Sequence, residues 1–168
     1  KDSLIFISKT KIPFKKFYLT ILVLIIILTS FLPSISYAKK EMEQSLTGQE
    51  QGALQWIKEN TPKNSTIASF YKEGQLITSI SGRKNFIDQN FILVKNINQR
   101  FNDHEVIYTS KFSTPVVRIT TKYNIDYIYF SPKTKKILQI KEISYIDENC
   151  FPLVYDKGIK IYKVACTI

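Results

Sequence analysis

Few residues in this 168-residue chain have side chains suited to catalysis or metal binding, and most of those stand alone. His104 is the single histidine, it lies in a polar stretch, and no cysteine cluster is near it in sequence. It reads as a surface histidine rather than a metal ligand. Glu142, Asp147 and Glu148 gather in one segment. Nothing nearby is expected to bury them and shift a pKa, so they read as a solvated loop and not as an acid–base pair. Zinc-ligand spacing, a P-loop, a dinucleotide-binding glycine turn and a nucleophile elbow are all missing from the sequence. No catalytic residue and no metal ligand is assigned.

Two further features carry covalent chemistry. Cys150 and Cys166 bracket a segment that reads as a β-hairpin. If Tyr155 faces Ile159 across the turn, Cys150 lies opposite Val164 and Cys166 is its diagonal neighbour on the same face. Diagonal pairs sit roughly 7–8 Å apart, beyond comfortable disulfide reach. A bulge, or a register slip of two residues, would bring the two cysteines opposite each other. Asn64-Ser65-Thr66 is an acceptor sequon for N-glycosylation at Asn64, in a stretch expected to be an exposed loop.

The elements that position these residues follow from apolar spacing. Ala53, Leu54 and Ile57 recur at helical intervals with Trp56 on the flank. Asn60-Thr61-Pro62 ends that helix, because the residue before a proline disfavours the α region. Residues 66–70 predict a short strand. Leu76, Ile77 and Ile80 make 74–81 one amphipathic helix closed by Gly82. Phe86 and Ile87 predict a second short strand. Residues 96–108 predict a surface helix with Ile97, Phe101 and Val106 on one side. Ser113 or Thr114 before Pro115 is an N-cap and first-turn signal for a helix to about 122. Residues 125–130 mix aromatic and β-branched types and form the clearest strand. The runs 151–155 and 159–164 flank Asp156-Lys157-Gly158, a turn in which Gly takes a left-handed conformation. The class is α/β: a small mixed β-sheet domain with packed helices and a C-terminal β-hairpin.

Ahead of that domain, residues 17–38 hold no charged side chain. Their length as a helix, roughly 33 Å, matches a bilayer core. Lys9, Lys11, Lys15 and Lys16 crowd the N-terminal flank, which places that side in the cytoplasm. The expected organisation is a basic cytoplasmic flank at 1–16, a transmembrane helix at 17–38, a linker at 39–50 and an extracytoplasmic α/β domain at 51–168. A signal peptide is the competing reading, since Ser36 and Ala38 put small residues where signal peptidase reads. Both readings export the rest of the chain. Overall charge is +10, from 24 Lys and Arg against 14 Asp and Glu. After the apolar segment the excess is mild and spread out, and the chain has only three Arg. Nucleic-acid binders concentrate charge on one face and clamp phosphate with arginine. A nucleic-acid partner is not expected.

Phe70-Tyr71-Lys72-Glu73-Gly74, followed by Arg83 and by Asp88 and Asn90, resembles a segment of the archaeal multi-spanning membrane glycosyltransferases of the GT-C superfamily, the group that includes the oligosaccharyltransferase catalytic subunit. There a Trp-Trp-Asp-Tyr-Gly motif precedes a short helix, an Arg and an Asp-Asn pair at the same spacing, in the extracytoplasmic C-terminal region. Trp56-Ile57-Lys58-Glu59-Asn60-Thr61-Pro62 is similar to that group's entry helix, and the likeness covers about residues 50–166. Gly74, Arg83, Asp88 and Asn90 match best. The resemblance implies that Tyr71, Glu73, Gly74, Arg83 and Asp88 line one edge that binds substrate, with Arg83 paired to Asp88 or to a phosphate. It also implies as partners a membrane, a lipid-linked sugar and the remainder of a multi-spanning protein. A divalent metal would belong to the catalytic region outside this segment, which itself holds no cofactor. The motif departs at Phe70 and Tyr71, where two Trp would stand, and at Lys72, where Asp would. In oligosaccharyltransferases that motif recognises the acceptor hydroxyl of the sequon through a hydrogen-bond acceptor, and Lys has none. A relative with a different sugar acceptor is implied.

Two functions are expected from these features. The first is the last transmembrane helix and soluble C-terminal domain of a membrane glycosyltransferase-like protein, non-catalytic by itself. The alternative is a single-pass membrane-anchored or secreted binding module without enzymatic activity. The chain opens on Lys1 rather than Met, as expected for a piece of a longer protein.

Overall fold

An uninterrupted apolar run leaves backbone groups no partner in lipid but one another, and α1 (Ile12–Gln44) is a continuous helix. The computed structural model describes residues 12–44, 46–90 and 96–168, in two units, Lys1–Leu46 and Thr47–Ile168. Within α1, Lys16–Ile35 has a mean hydropathy of 2.4 over 20 residues with none of it buried. Among the described residues it is the one helix long and apolar enough to cross a membrane. Its hydroxyls are satisfied locally: Thr20, Thr29 and Ser34 each donate to the carbonyl four residues earlier. The helix continues to Gln44, and α2 (Gly48–Asn60) begins four residues later, so the expected linker at 39–50 is helical at both ends.

The second unit starts from a capping box. Thr47 accepts from the Glu50 amide at 3.2 Å while the Glu50 carboxylate accepts from the Thr47 amide at 2.7 Å. Ala53, Leu54 and Ile57 of α2 are buried, as their spacing predicts. The sheet comprises β1 (Thr66–Ala68), β2 (Lys84–Asn85), β3 (Tyr127–Phe130), β4 (Leu153–Asp156) and β5 (Lys160–Lys163). Among the described residues its order is β2-β1-β3-β5-β4. β1 runs parallel to both β2 and β3, while β5 is antiparallel to β3 and β4.

Helices cover both faces. Tyr127 and Tyr129 pack with Ile67, Ile161, Ile77 and the apolar stripe of α2. Ile128 and Phe130 point the other way, against Ile107 and Tyr108 of α4 (Ile97–Thr109) and Val116 and Ile119 of α5 (Ser113–Tyr123). Each fully buried Ile contributes about 2–3 kcal/mol of transfer free energy.

Several expectations need correction. The second strand lies at Lys84–Asn85, and Phe86 and Ile87 are core residues just past it. The helix expected over 74–81 is a short α3 (Gly74–Leu76) running into a π-helical turn, Ile77–Ser81, ended by Gly82 at φ 66°. α4 turns His104, Ile107 and Tyr108 inward, so His104 is not a surface residue. A helix absent from the sequence reading, α6 (Pro132–Leu138), follows β3; Ser131 caps it by accepting from the Thr134 amide at 3.1 Å. The acids behave as a solvated loop: Glu142 pairs with Lys160 at the surface and Asp147 accepts from the Asn149 and Cys150 amides.

The hairpin pairs Tyr155 with Ile161, two residues from the Tyr155–Ile159 pairing, and shifts register again between Leu153 and Tyr155. Gly158, at φ 84°, supplies the left-handed turn. The offset brings Cys150 and Cys166 to a Cα separation of 4.7 Å, and they are disulfide-bonded. Closing a loop with this separation of 16 residues restrains the unfolded chain by about 3 kcal/mol. Replacing both cysteines by Ser is expected to lower the unfolding free energy of the full chain by about 2–4 kcal/mol in a urea titration. An unchanged midpoint would refute this.

Candidate functional site

The chain leaves β1 towards β2 on one side and leaves β3 towards β4, the far edge strand, on the other. Between the carboxyl ends of these two parallel strands the connections diverge, the place where open α/β sheets form crevices. The β1 exit supplies Ser69 to Glu73 and the β3 exit supplies Ser131 to Thr134.

Glu73 spans the two exits. Its carboxylate is 3% exposed, and one oxygen accepts from the Thr134 hydroxyl at 3.1 Å. The other oxygen is buried without a hydrogen-bond partner. Burial pushes its pKa up, against the Ser131 and Thr134 hydroxyls whose dipoles favour the anion, and the nearby Glu50 charge adds to the rise. Glu50 is equally buried and goes the other way. Desolvation is again the largest influence, but the bonds from Lys133 and Thr47 together outweigh it and hold the carboxyl below its usual range. Lys133 reaches Glu50 as an ion pair at 2.7 Å.

Behind this, His104 sits 3% exposed with Nε2 3.0 Å from the Ser69 carbonyl. Desolvation lowers its pKa to about 4, so at neutral pH it is the uncharged imidazole and Nε2 donates to that carbonyl. The Tyr108 hydroxyl completes the layer, within 3.1 Å of both the Ala68 and Tyr129 carbonyls.

Tyr71 is half-buried, edge-on to Phe101 at 5.6 Å and tilted against Phe70 at 4.6 Å. Lys72 is exposed, its ammonium 5.8 Å from the Tyr71 ring. Gly74 meets the next turn so closely that a Cβ would collide with the Ile87 carbonyl and approach Asp88 Cβ to 2.8 Å. Asn85 stitches that contact, donating to the Gly74 carbonyl at 2.8 Å and to Asp88 at 3.0 Å. The second Asp88 oxygen accepts from the Asn90 amide at 2.8 Å.

Tyr71, Glu73 and Gly74 therefore share the turn after β1, and Asp88 meets Gly74 from the turn after β2. Arg83 is committed elsewhere, and the expected pair with Asp88 is not formed. Its guanidinium donates to the Lys58 carbonyl at 2.6 Å, to Thr61 O and Oγ1 at 2.7 and 3.0 Å, and to the Ser81 carbonyl at 3.1 Å. Four of its five donors thus close the C-terminus of α2 and the end of the π-helical turn. Asn64 is exposed in a turn, with Ser65 buried and Thr66 in β1. Glu50, Asn85, Ser131 and Thr134 also build this region, though the sequence assigns them no role. Thr47-Gly48-Gln49-Glu50 is a capping-box pattern and Ser131-Pro132 a helix start, so two of these signals were visible. Among the described residues no group of His, Cys, Asp and Glu could hold a metal ion.

The chain is similar in fold to the C-terminal globular domain of an oligosaccharyltransferase from Archaeoglobus fulgidus, known from its crystal structure. The TM-score is 0.53 at 18% identity, covering 71% of this chain and 99% of that domain. The archaeal oligosaccharyltransferase AglB from the same organism, in complex with an inhibitory peptide and a dolichol-phosphate, matches with a TM-score of 0.46 and 16% identity. That alignment covers 67% of this chain and 16% of that longer one. No family model and no curated protein sequence matches the chain. The first likeness establishes the fold as that of an oligosaccharyltransferase C-terminal globular domain.

Two measurements follow from the buried groups. Arg83→Ala should destabilise the full chain by about 3 kcal/mol, because it leaves several carbonyls unpaired, and Arg83→Lys should restore only part. A melting temperature unmoved by Arg83→Ala would show that water replaces the guanidinium. His104 has a folded pKa of about 4 against 6.5 when free, so the unfolded chain binds its proton first as pH falls. Its share of stability, about 3 kcal/mol, is complete above pH 6.5 and lost towards pH 4. Glu73 has the opposite sign: its folded pKa is raised, so its share falls as pH climbs past 4.5. In pH-dependent unfolding, His104→Gln should flatten the acid limb and Glu73→Gln should raise stability at neutral pH. Unchanged profiles in both variants would contradict these assignments.

Proposed function

We propose that this chain is the last transmembrane helix and the extracytoplasmic C-terminal domain of a membrane glycosyltransferase-like protein that uses a lipid-linked sugar. The domain is non-catalytic by itself. The observation that carries this reading is the likeness to an oligosaccharyltransferase C-terminal globular domain over 99% of that domain's length. The disulfide supports an oxidising compartment for this unit, and the apolar helix Lys16–Ile35 supports a membrane anchor.

In this role the turn after β1 is a platform that meets the membrane-embedded catalytic region. Glu73, Gly74 and Asp88 shape it from behind, Arg83 holds the helix that precedes it, and Tyr71 and Lys72 are its outward face. Lys72 offers three donors and no acceptor, so the platform suits an anionic group and not the donating hydroxyl of a peptide sequon. Any divalent metal belongs to the catalytic region.

The test uses native membranes that contain the protein. A photo-reactive phenylalanine analogue in place of Tyr71 should cross-link to a membrane-embedded segment of the same full-length polypeptide, found as a cross-linked peptide pair after proteolysis. Lys72→Ala should reduce sugar transfer from the lipid-linked donor at least about tenfold with little change in melting temperature, as expected for lost contacts of about 1.4 kcal/mol or more, and Tyr71→Ala, which also removes a ring packed on Phe70 and Phe101, should do so per folded molecule. Residues 45–168 alone should fold and transfer nothing. Transfer by that fragment would overturn the non-catalytic assignment, and wild-type rates in both variants would remove the platform.

A further inference from the structure

α6 sorts its lysines by direction. Lys133 turns inward to Glu50, whereas Lys136 is exposed and Lys135 half-exposed, its ammonium 5.2 Å from the centre of the buried Phe130 ring. Gln139 then takes a left-handed conformation at φ 55°, and the Ile140 amide donates back to the Lys135 carbonyl at 3.1 Å. That turn folds exposed Lys141 alongside the helix. The result is an open depression of about 500 Å³ lined by Pro132, Lys135, Lys136, Gln139, Ile140 and Lys141. No acid forms an ion pair with these three lysines among the described residues, and Glu142, the next residue, is engaged by Lys160 at 2.7 Å.

We infer that Lys135, Lys136 and Lys141 form a phosphate-group site through which the domain docks on anionic phospholipid headgroups. Three lysines bordering a shallow basin, with no acid paired to them, complement closely spaced phosphates. The domain begins at Thr47, and the apolar stretch ends at Ile35. This short tether keeps headgroups at high effective concentration, so weak individual contacts are enough. The inference rests on the membrane-anchored reading above, and it adds a second attachment point to the anchor.

The full chain can be reconstituted into nanodiscs of phosphatidylcholine alone or of phosphatidylcholine with phosphatidylglycerol, and amide hydrogen exchange followed over residues 132–141. Protection should rise at least about fivefold in the anionic discs, the factor expected for one lysine near such a surface. The rise should shrink as salt is added and disappear in the Lys135→Gln, Lys136→Gln, Lys141→Gln variant, whose exchange in neutral discs should match wild type. A chain that fails to co-elute with discs overturns the anchored reading and this surface with it. A chain that co-elutes but exchanges alike in both discs overturns the lysine site alone. Equal protection from inorganic phosphate in neutral discs would overturn the lipid assignment in favour of a soluble phosphate ligand.

Discussion

Taking a carboxylate out of water at the ends of two parallel strands is costly, and the arrangement of the domain answers that cost. Glu73 hydrogen-bonds across from the β1 exit to Thr134 at the β3 exit. The hydroxyl it uses is held by Ser131, which also caps α6. α6 in turn sends Lys133 to Glu50, and Glu50 closes the capping box that starts α2. One chain of polar contacts thus links the first helix of the domain, the turn after β1 and the helix after β3. Removing any one member leaves another buried and unmatched, which is why such networks behave as a unit.

Arg83 does similar work at the opposite end of α2. Helix C-termini leave carbonyls without donors, and one planar guanidinium meets the Lys58 and Thr61 carbonyls together with that of Ser81. With Glu50 fixing one end and Arg83 the other, α2 is pinned lengthwise on the sheet. Asn85, Gly74 and Asp88 then set the height of the turn between β1 and β2. The exposed side chains of that turn rest on a frame with little freedom, the condition a recognition surface needs if binding is not to cost order.

Where a signal was local, the sequence announced it. The strand Tyr127–Phe130, the helix from 113 and the glycine at the hairpin turn all follow from neighbours within a few residues. What escaped notice depended on distant partners. A six-residue view of Arg83 offers Asp88, but three of its four acceptors lie 22 or 25 residues upstream. His104 looks like a surface residue because its helix is polar, and the Ser69 carbonyl that receives it is 35 residues away. α6 carries lysines where a core-facing helix would carry apolar side chains, so periodicity said nothing and only its cap did. Spacing alone leaves the disulfide open, because neither the two-residue register offset nor the bulge that follows it is written in the local sequence.

The parallel pairing of β1 with β3 has a consequence for how the chain reaches this state. Thr66 and Asp126 are joined by a bond across 60 residues, and β1 has no partner on that side until β3 exists. A chain made at about 5–20 residues per second keeps β1 waiting about 3–12 s for that segment. Its exposed edge could meanwhile recruit other chains, and the brevity of the strands limits that hazard. β1 is three residues long and β2 two, too short to template an intermolecular sheet.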